Sequence, residues 1–263
     1  MSFSLVYKQE NSDGNCCYFG YQFDKAYVKA HFSNEIKKKL VDYHGTRELV
    51  ESFDDIVETD FDRDVLKKIL RLAFEKFEMW KIGEAFCEFF LEKEFKVRFW
   101  YNHLRDLKNP KASPTGPDLV GFIDINGDTI FVFGEVKTSE DERSPPQVFY
   151  GKTGFKNQIN ELKNNKTVSY NLIRYLGFKV SDLPKTDPFC IDYRSALKIY
   201  IKNRNRIHLF GLLVRDTKCN CKDLESGYNN LKNITHKDMI IKLIGLYIPI
   251  KMKKWEQMMG GIN

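Results

Sequence analysis

The chain has 263 residues, 42% hydrophobic and 30% charged, with a formal net charge of +6. That balance belongs to a soluble globular protein of one large domain or two small ones, and it excludes a fibrous or disordered chain. The charge is uneven: residues 151–263 hold 21 Lys and Arg against 9 Asp and Glu, while residues 1–150 hold 21 against 27. A basic C-terminal half fits a polyanionic partner or, equally, a solvated basic surface. The longest apolar stretch, Met239 to Ile250, contains Lys242 and Pro249 and is too short to span a bilayer. Met1 to Lys8 shows no basic region followed by an apolar core, so no signal peptide is visible, and a cytoplasmic location without membrane contact is expected. Six cysteines at this length are no disulfide framework and read as reduced thiols.

Phe3 to Tyr7 and Cys17 to Phe23 read as strands, interspersed with helix-like pieces. Asp60 to Asp64 is an acidic helix start, after which Leu66, Leu70, Ala73, Phe77 and Trp80 predict one long amphipathic helix. A second helix is predicted over Ile82 to Lys93. The period then changes, and Val97, Phe99 and Tyr101 alternating with Lys96 and Arg98 predict a strand over Phe95 to Tyr101. Leu104 to Gly116 is a polar loop rich in turn-formers. Pro117 to Asp124, the turn Asn126-Gly127-Asp128, and Thr129 to Lys137 form a predicted hairpin. Pro145-Pro146 interrupts the loop from Ser139 to Gln147. Helices follow at Lys156 to Asn164 and Val168 to Leu176, then buried strands at Arg206 to Arg215 and Ile240 to Ile250. The sum is an α/β fold, a mixed sheet flanked by helices. A soft boundary falls near residue 80, separating an N-terminal α/β extension, residues 1–80, from a core of residues 81–263.

The chemistry concentrates in the hairpin. Alternation puts Glu135 and Lys137 on one face of their strand and Val136 on the other. Paired through the Asn126-Gly127 turn, Asp118 comes near Glu135. Two carboxylates 4 Å apart repel by about 4 kcal/mol at an effective dielectric of 20. A divalent cation removes that conflict, and carboxylate oxygens with a backbone carbonyl, here that of Val136, suit Mg²⁺. The metal acidifies a bound water and polarises a phosphoryl oxygen, and Lys137 can hold the water or offset charge on the phosphate. Glu-x-Lys alone carries no weight, since it recurs at Glu35/Lys37, Glu94/Lys96 and Glu161/Lys163. Only Glu135/Lys137 follows an apolar run, Ile130 to Phe133. A charged pair ending such a strand is costly unless it is partnered, and the bland alternative is a salt-bridged strand end.

The order Glu84 on a helix, Pro117-Asp118 on a strand and Glu135-Val136-Lys137 on the next resembles the PD-(D/E)xK nuclease superfamily. The resemblance implies a restriction-endonuclease-like α/β core that cleaves DNA phosphodiester bonds with Mg²⁺, or Mn²⁺ in its place. It implies Asp118 and Glu135 as metal ligands, Lys137 as the catalytic lysine, Glu84 as the helix acid and Gln158 as a glutamine contacting DNA or water. Glu84 also reads as an ordinary helix charge and Gln158 as a surface amide. Arg105-Asp106, Asn109 to Ser113, Gly116 to Phe122 and Gly134 to Lys137 look like the HamA family, the nuclease-type subunits of bacterial Hachiman antiphage systems. The likeness covers about Gly83 to Gln158. It implies a superfamily 2 helicase partner, HamB, and DNA degradation released when the helicase engages damaged or invading DNA.

Weaker signals surround this centre. Arg105, Lys108 and Lys111 in the first long loop, and Lys202, Arg204 and Arg206, are candidate phosphate contacts or plain solvated charges. Cys219-Asn220-Cys221, with His208 and His236, is a poor zinc spacing. Gly151-Lys152-Thr153 lacks the earlier glycine of a phosphate loop. Two rival functions stand beside the nuclease: a catalytically inactive DNA- or helicase-binding module on the same fold, and a stand-alone restriction-type endonuclease. The acidic N-terminal part is expected to dock a partner that covers the site at rest.

Overall fold

In the computed structural model, which describes residues 3–70, 77–106, 116–233 and 236–259, most of the alternating runs become strands and most of the 3.6-residue patterns become helices. The chain opens with a hairpin, β1 (Phe3–Glu10) and β2 (Cys16–Phe23). Then come α1 (Lys25–His31), a π turn over Phe32–Ile36, α2 (Lys37–Leu40), α3 (Tyr43–Glu51) and α4 (Asp60–Leu70). The middle holds α5 (Met79–Glu94), β3 (Leu119–Ile125) and β4 (Asp128–Ser139). Next are α6 (Phe155–Asn164), α7 (Lys166–Val180), α8 (Pro188–Lys202) and β5 (Ile207–Arg215). α9 (Lys222–Leu231), β6 (Ile240–Tyr247) and a short α10 (Trp255–Met258) complete it.

The strands form one mixed sheet in the order β1-β2-β6-β5-β4-β3. The central four run parallel, and an antiparallel hairpin closes each side. β5 is buried along its whole length, as a strand covered on both faces must be. Period-two alternation sends the two faces into two cores. On one, Ile130, Val132 and Val136 of β4 meet Ile82, Phe86 and Phe90 of α5 and Val28, Phe32 and Leu40. On the other, Phe131 and Phe133 meet α6, α7 and α8 through Phe155, Leu176 and Phe189. The mixed sheet flanked by helices is the expected α/β class.

The β3–β4 turn follows its residues. Asn126 and Gly127 take positive φ values of 53° and 84°, the conformation a two-residue type I′ turn needs. Two expectations need correction. The strand over Phe95 to Tyr101 is reduced to one antiparallel bridge, Arg98 to Phe122, because Lys96 adopts φ 58° and breaks the extended run. The single helix from Asp60 to Trp80 does not form either: Phe77 and Glu78 are non-helical, and α5 starts at Met79 on a Glu78 with ψ 141°. Phe77 is buried, so its apolar character serves the core without a helix, while Ala73 lies outside the described residues. The boundary near residue 80 is one of sequence only, because β2 pairs with β6 from Cys16 to Gln22 and both parts share one core. Among the described residues no helix is long and apolar enough to cross a membrane.

Candidate active site

The hairpin register assembles the candidate site. Leu119 opposes Gly134, which leaves Asp118, one residue before β3, beside Glu135. The Val136 N–H donates to Asp118 Oδ2 at 2.7 Å, so the carboxylate continues the ladder where the strand has not begun. An extended residue directs its N–H and C=O to the same edge, and the Val136 carbonyl therefore faces Asp118 as well. Glu135 is only 2% exposed, and Lys137 Nζ donates to its Oε1 at 2.8 Å. Glu135 and Lys137 share the parity of Phe131 and Phe133, placing both on the face covered by α6 to α8.

The electrostatics record a crowded set of acids. Burial pushes the Glu135 carboxyl above its usual range, Asp118 pushes it further, and Lys137 opposes. Burial raises Asp118 too, against the pull of the Val136 N–H and Lys137. Glu84, on α5, is buried and raised first by desolvation and then by Asp118, Glu88 and Glu135. α5 reaches this position because Gly83 has no side chain: a Cβ there would fall 1.9 Å from Thr138 Oγ1 on β4. Glu84, Asp118, Glu135 and Lys137 thus share one electrostatic neighbourhood.

Two neighbours escaped the sequence reading. His103 Nε2 lies 3.9 Å from Glu84 Oε2. It opens a single 3-10 turn, His103–Asp106, too short for any periodicity to mark a position. Glu88 is one helical turn beyond Glu84, an i,i+4 relation that the sequence does display. Lys39 holds Glu88 at 3.2 Å and Glu92 at 2.7 Å.

The remaining expected residues are dispersed. Arg105 is engaged in a bidentate pair with Asp42, at 2.6 and 3.0 Å, so a phosphate contact requires that pair to open. Gln158 lies on α6 with its carboxamide oxygen buried and unpaired, and it makes no hydrogen bond to Asp118, Glu135 or Lys137. Lys108 and Lys111 lie outside the described residues. Arg206 pairs with Asp128 at 3.0 Å, at the turn end of β4, seven residues or roughly 23 Å of strand from Glu135. His208 is wholly buried near the start of β5 and Cys219 follows its far end, so they do not meet.

The donor set fits a hydrated divalent cation. Among the described residues no group of three or more His, Cys, Asp or Glu converges tightly enough to enclose a metal, so a closed structural site is not built. Mg²⁺ ordinarily takes one or two carboxylates and keeps its waters, and Asp118 and Glu135 supply two, the first partly exposed to the cleft and the second buried. Asp118 also lines a cleft of about 700 Å³ under α7. No protein-family model matches the chain, and a search among curated proteins finds no match.

Proposed function

We propose that the protein is a metal-dependent deoxyribonuclease on a PD-(D/E)xK core, hydrolysing DNA phosphodiester bonds as the effector of a bacterial antiphage complex. The observation that carries the reading is the convergence of Asp118, Glu135, Lys137 and the Val136 carbonyl at the start of β3. Asp118, Glu135 and that carbonyl would hold Mg²⁺, or Mn²⁺ in its place, and the bound ion would acidify a water and polarise the phosphate. Lys137, held 2.8 Å from Glu135, orients the attacking water or offsets charge growing on the phosphate. Glu84 adds a third acid to the wall, and with it the preference for a cation. Displacement is in line, without a covalent enzyme intermediate, and relies on positioning and electrostatics. The antiphage role and the helicase partner rest on the motif resemblance. The side proposed to dock the helicase is the segment before residue 80, where α4 leaves Phe61 76% and Ile69 72% exposed.

Plasmid cleavage with Mg²⁺ tests the reading, with wild type and Glu135→Ala each assayed alone and with the helicase. Wild type cuts, chelator abolishes cutting, and Glu135→Ala loses roughly 100-fold or more. Cleavage that survives both chelator and mutation removes the assignment. Folded wild type that binds DNA and never cuts is the inactive binding module.

A further inference from the structure

The cleft beside Asp118 has walls unlike those of a phosphate groove. Phe99, Tyr101 and Tyr175 give it aromatic faces, and Leu172 and Leu176 give it an apolar floor. No described lysine or arginine lines it, although the chain carries 42 of them. Sugar-phosphate backbone is gripped by such cations and by backbone amides, whereas the described walls offer mainly aromatic and apolar faces. Its volume of about 700 Å³ lies within the range of small-ligand pockets.

The aromatic corner is braced before any ligand arrives. Tyr101 OH donates to Asp106 Oδ1 at 3.0 Å, and Tyr175 OH donates to Asp106 Oδ2. Lys179 pairs with the same carboxylate and lies 4.4 Å from the Tyr101 ring centroid. The two rings stand 6.3 Å apart at 80°. Rigid, half-buried aromatic faces next to a phosphodiester-cutting centre match how unpaired bases are held: stacking needs only a π face and tolerates any sequence.

We propose that the cleft receives an unpaired base of a single DNA strand, a substrate class that rests on the nuclease reading of the same site. The strand's phosphate then lies at Asp118 while the neighbouring base stacks on the Tyr175 ring, and the Tyr101 ring, at 80° to it, meets the base edge-on. Duplex DNA has its bases paired and stacked internally and offers none to the cleft.

A short oligonucleotide carrying one 2-aminopurine, single-stranded or annealed to its complement, tests this in chelator, where nothing is cut. Wild type should quench the 2-aminopurine of the single strand and bind it roughly tenfold more tightly than the duplex. Tyr175→Ala should weaken single-strand binding about tenfold with duplex binding unchanged, and Tyr175→Phe, which keeps the ring, should bind like wild type. Equal affinity for both forms, or no quench, overturns the proposal. So does displacement of the strand by equimolar adenosine monophosphate, which marks a mononucleotide pocket. Thermal melting checks that Tyr175→Ala folds; if it does not, the wild-type quench decides alone. The two readings fail separately. A protein that never cuts in Mg²⁺ yet binds single strands through the cleft refutes only the nuclease, and one that cuts while binding both forms equally refutes only the cleft.

Discussion

At the scale of single residues, four Glu-x-Lys triplets compete for notice, and the structure distinguishes the one at Glu135 by burial and by its partner Asp118. That pair was legible because period-two alternation and a two-residue turn together fix which side chains oppose each other. Gly83 was not, since its importance depends on which strand a helix eventually packs against. Gly83→Ala is expected to cost about 1–3 kcal/mol, because the added Cβ meets Thr138 Oγ1 at 1.9 Å. Thr138→Ala in the same chain should recover part of the loss, leaving the Thr138 Cβ at 3.2 Å. Urea denaturation of the two single variants and the double variant measures the coupling. Additive losses would show that the close approach is not what limits α5.

Among elements, the segment after α5 shows where local pattern loses to tertiary context. Its alternating residues predict a strand, yet only Arg98 pairs with the sheet, while its guanidinium clamps Asp124 of β3 at 2.8 Å and Asp192 of α8 at 2.7 Å. The clamp joins residues 26 and 94 positions apart, a relation no local window contains. Arg98 hydrogen bonds hold the Asp124 carboxyl below its usual range, despite some burial. A folded value below the unfolded one means the contribution is complete above about pH 4 and fades as pH falls through the folded value. Asp124→Asn should therefore lower stability at pH 7 by about 1 kcal/mol, and the gap to wild type should close on acidification below pH 4. Thermal melts across that range check it, and a gap independent of pH would assign the loss to packing. The helix over Asp60 to Trp80 failed for a related reason: Phe77 is apolar because it is buried, and burial needs no helix.

For the whole molecule, the sheet order was the least legible feature. β2 and β6 are adjacent in space and more than 200 residues apart in sequence, with no turn between them to announce the pairing. Removing residues 1–24 should leave β6 with a bare apolar edge, and the truncated chain should elute from size exclusion as aggregate. A soluble monomer from that deletion would show the hairpin to be dispensable. The same pairing has a consequence for how the protein is made. Among the described residues β6 is the last strand, and it lies between β2 and β5, so the two parts of this sheet cannot join until it is present. On the ribosome, β4 and its acidic residues emerge about a hundred residues before β6 does. Non-local pairing of this kind forms late and slowly. Translation itself therefore imposes an order: the acidic residues of β4 are out of the ribosome well before the strand that ties their half of the sheet to the opening hairpin.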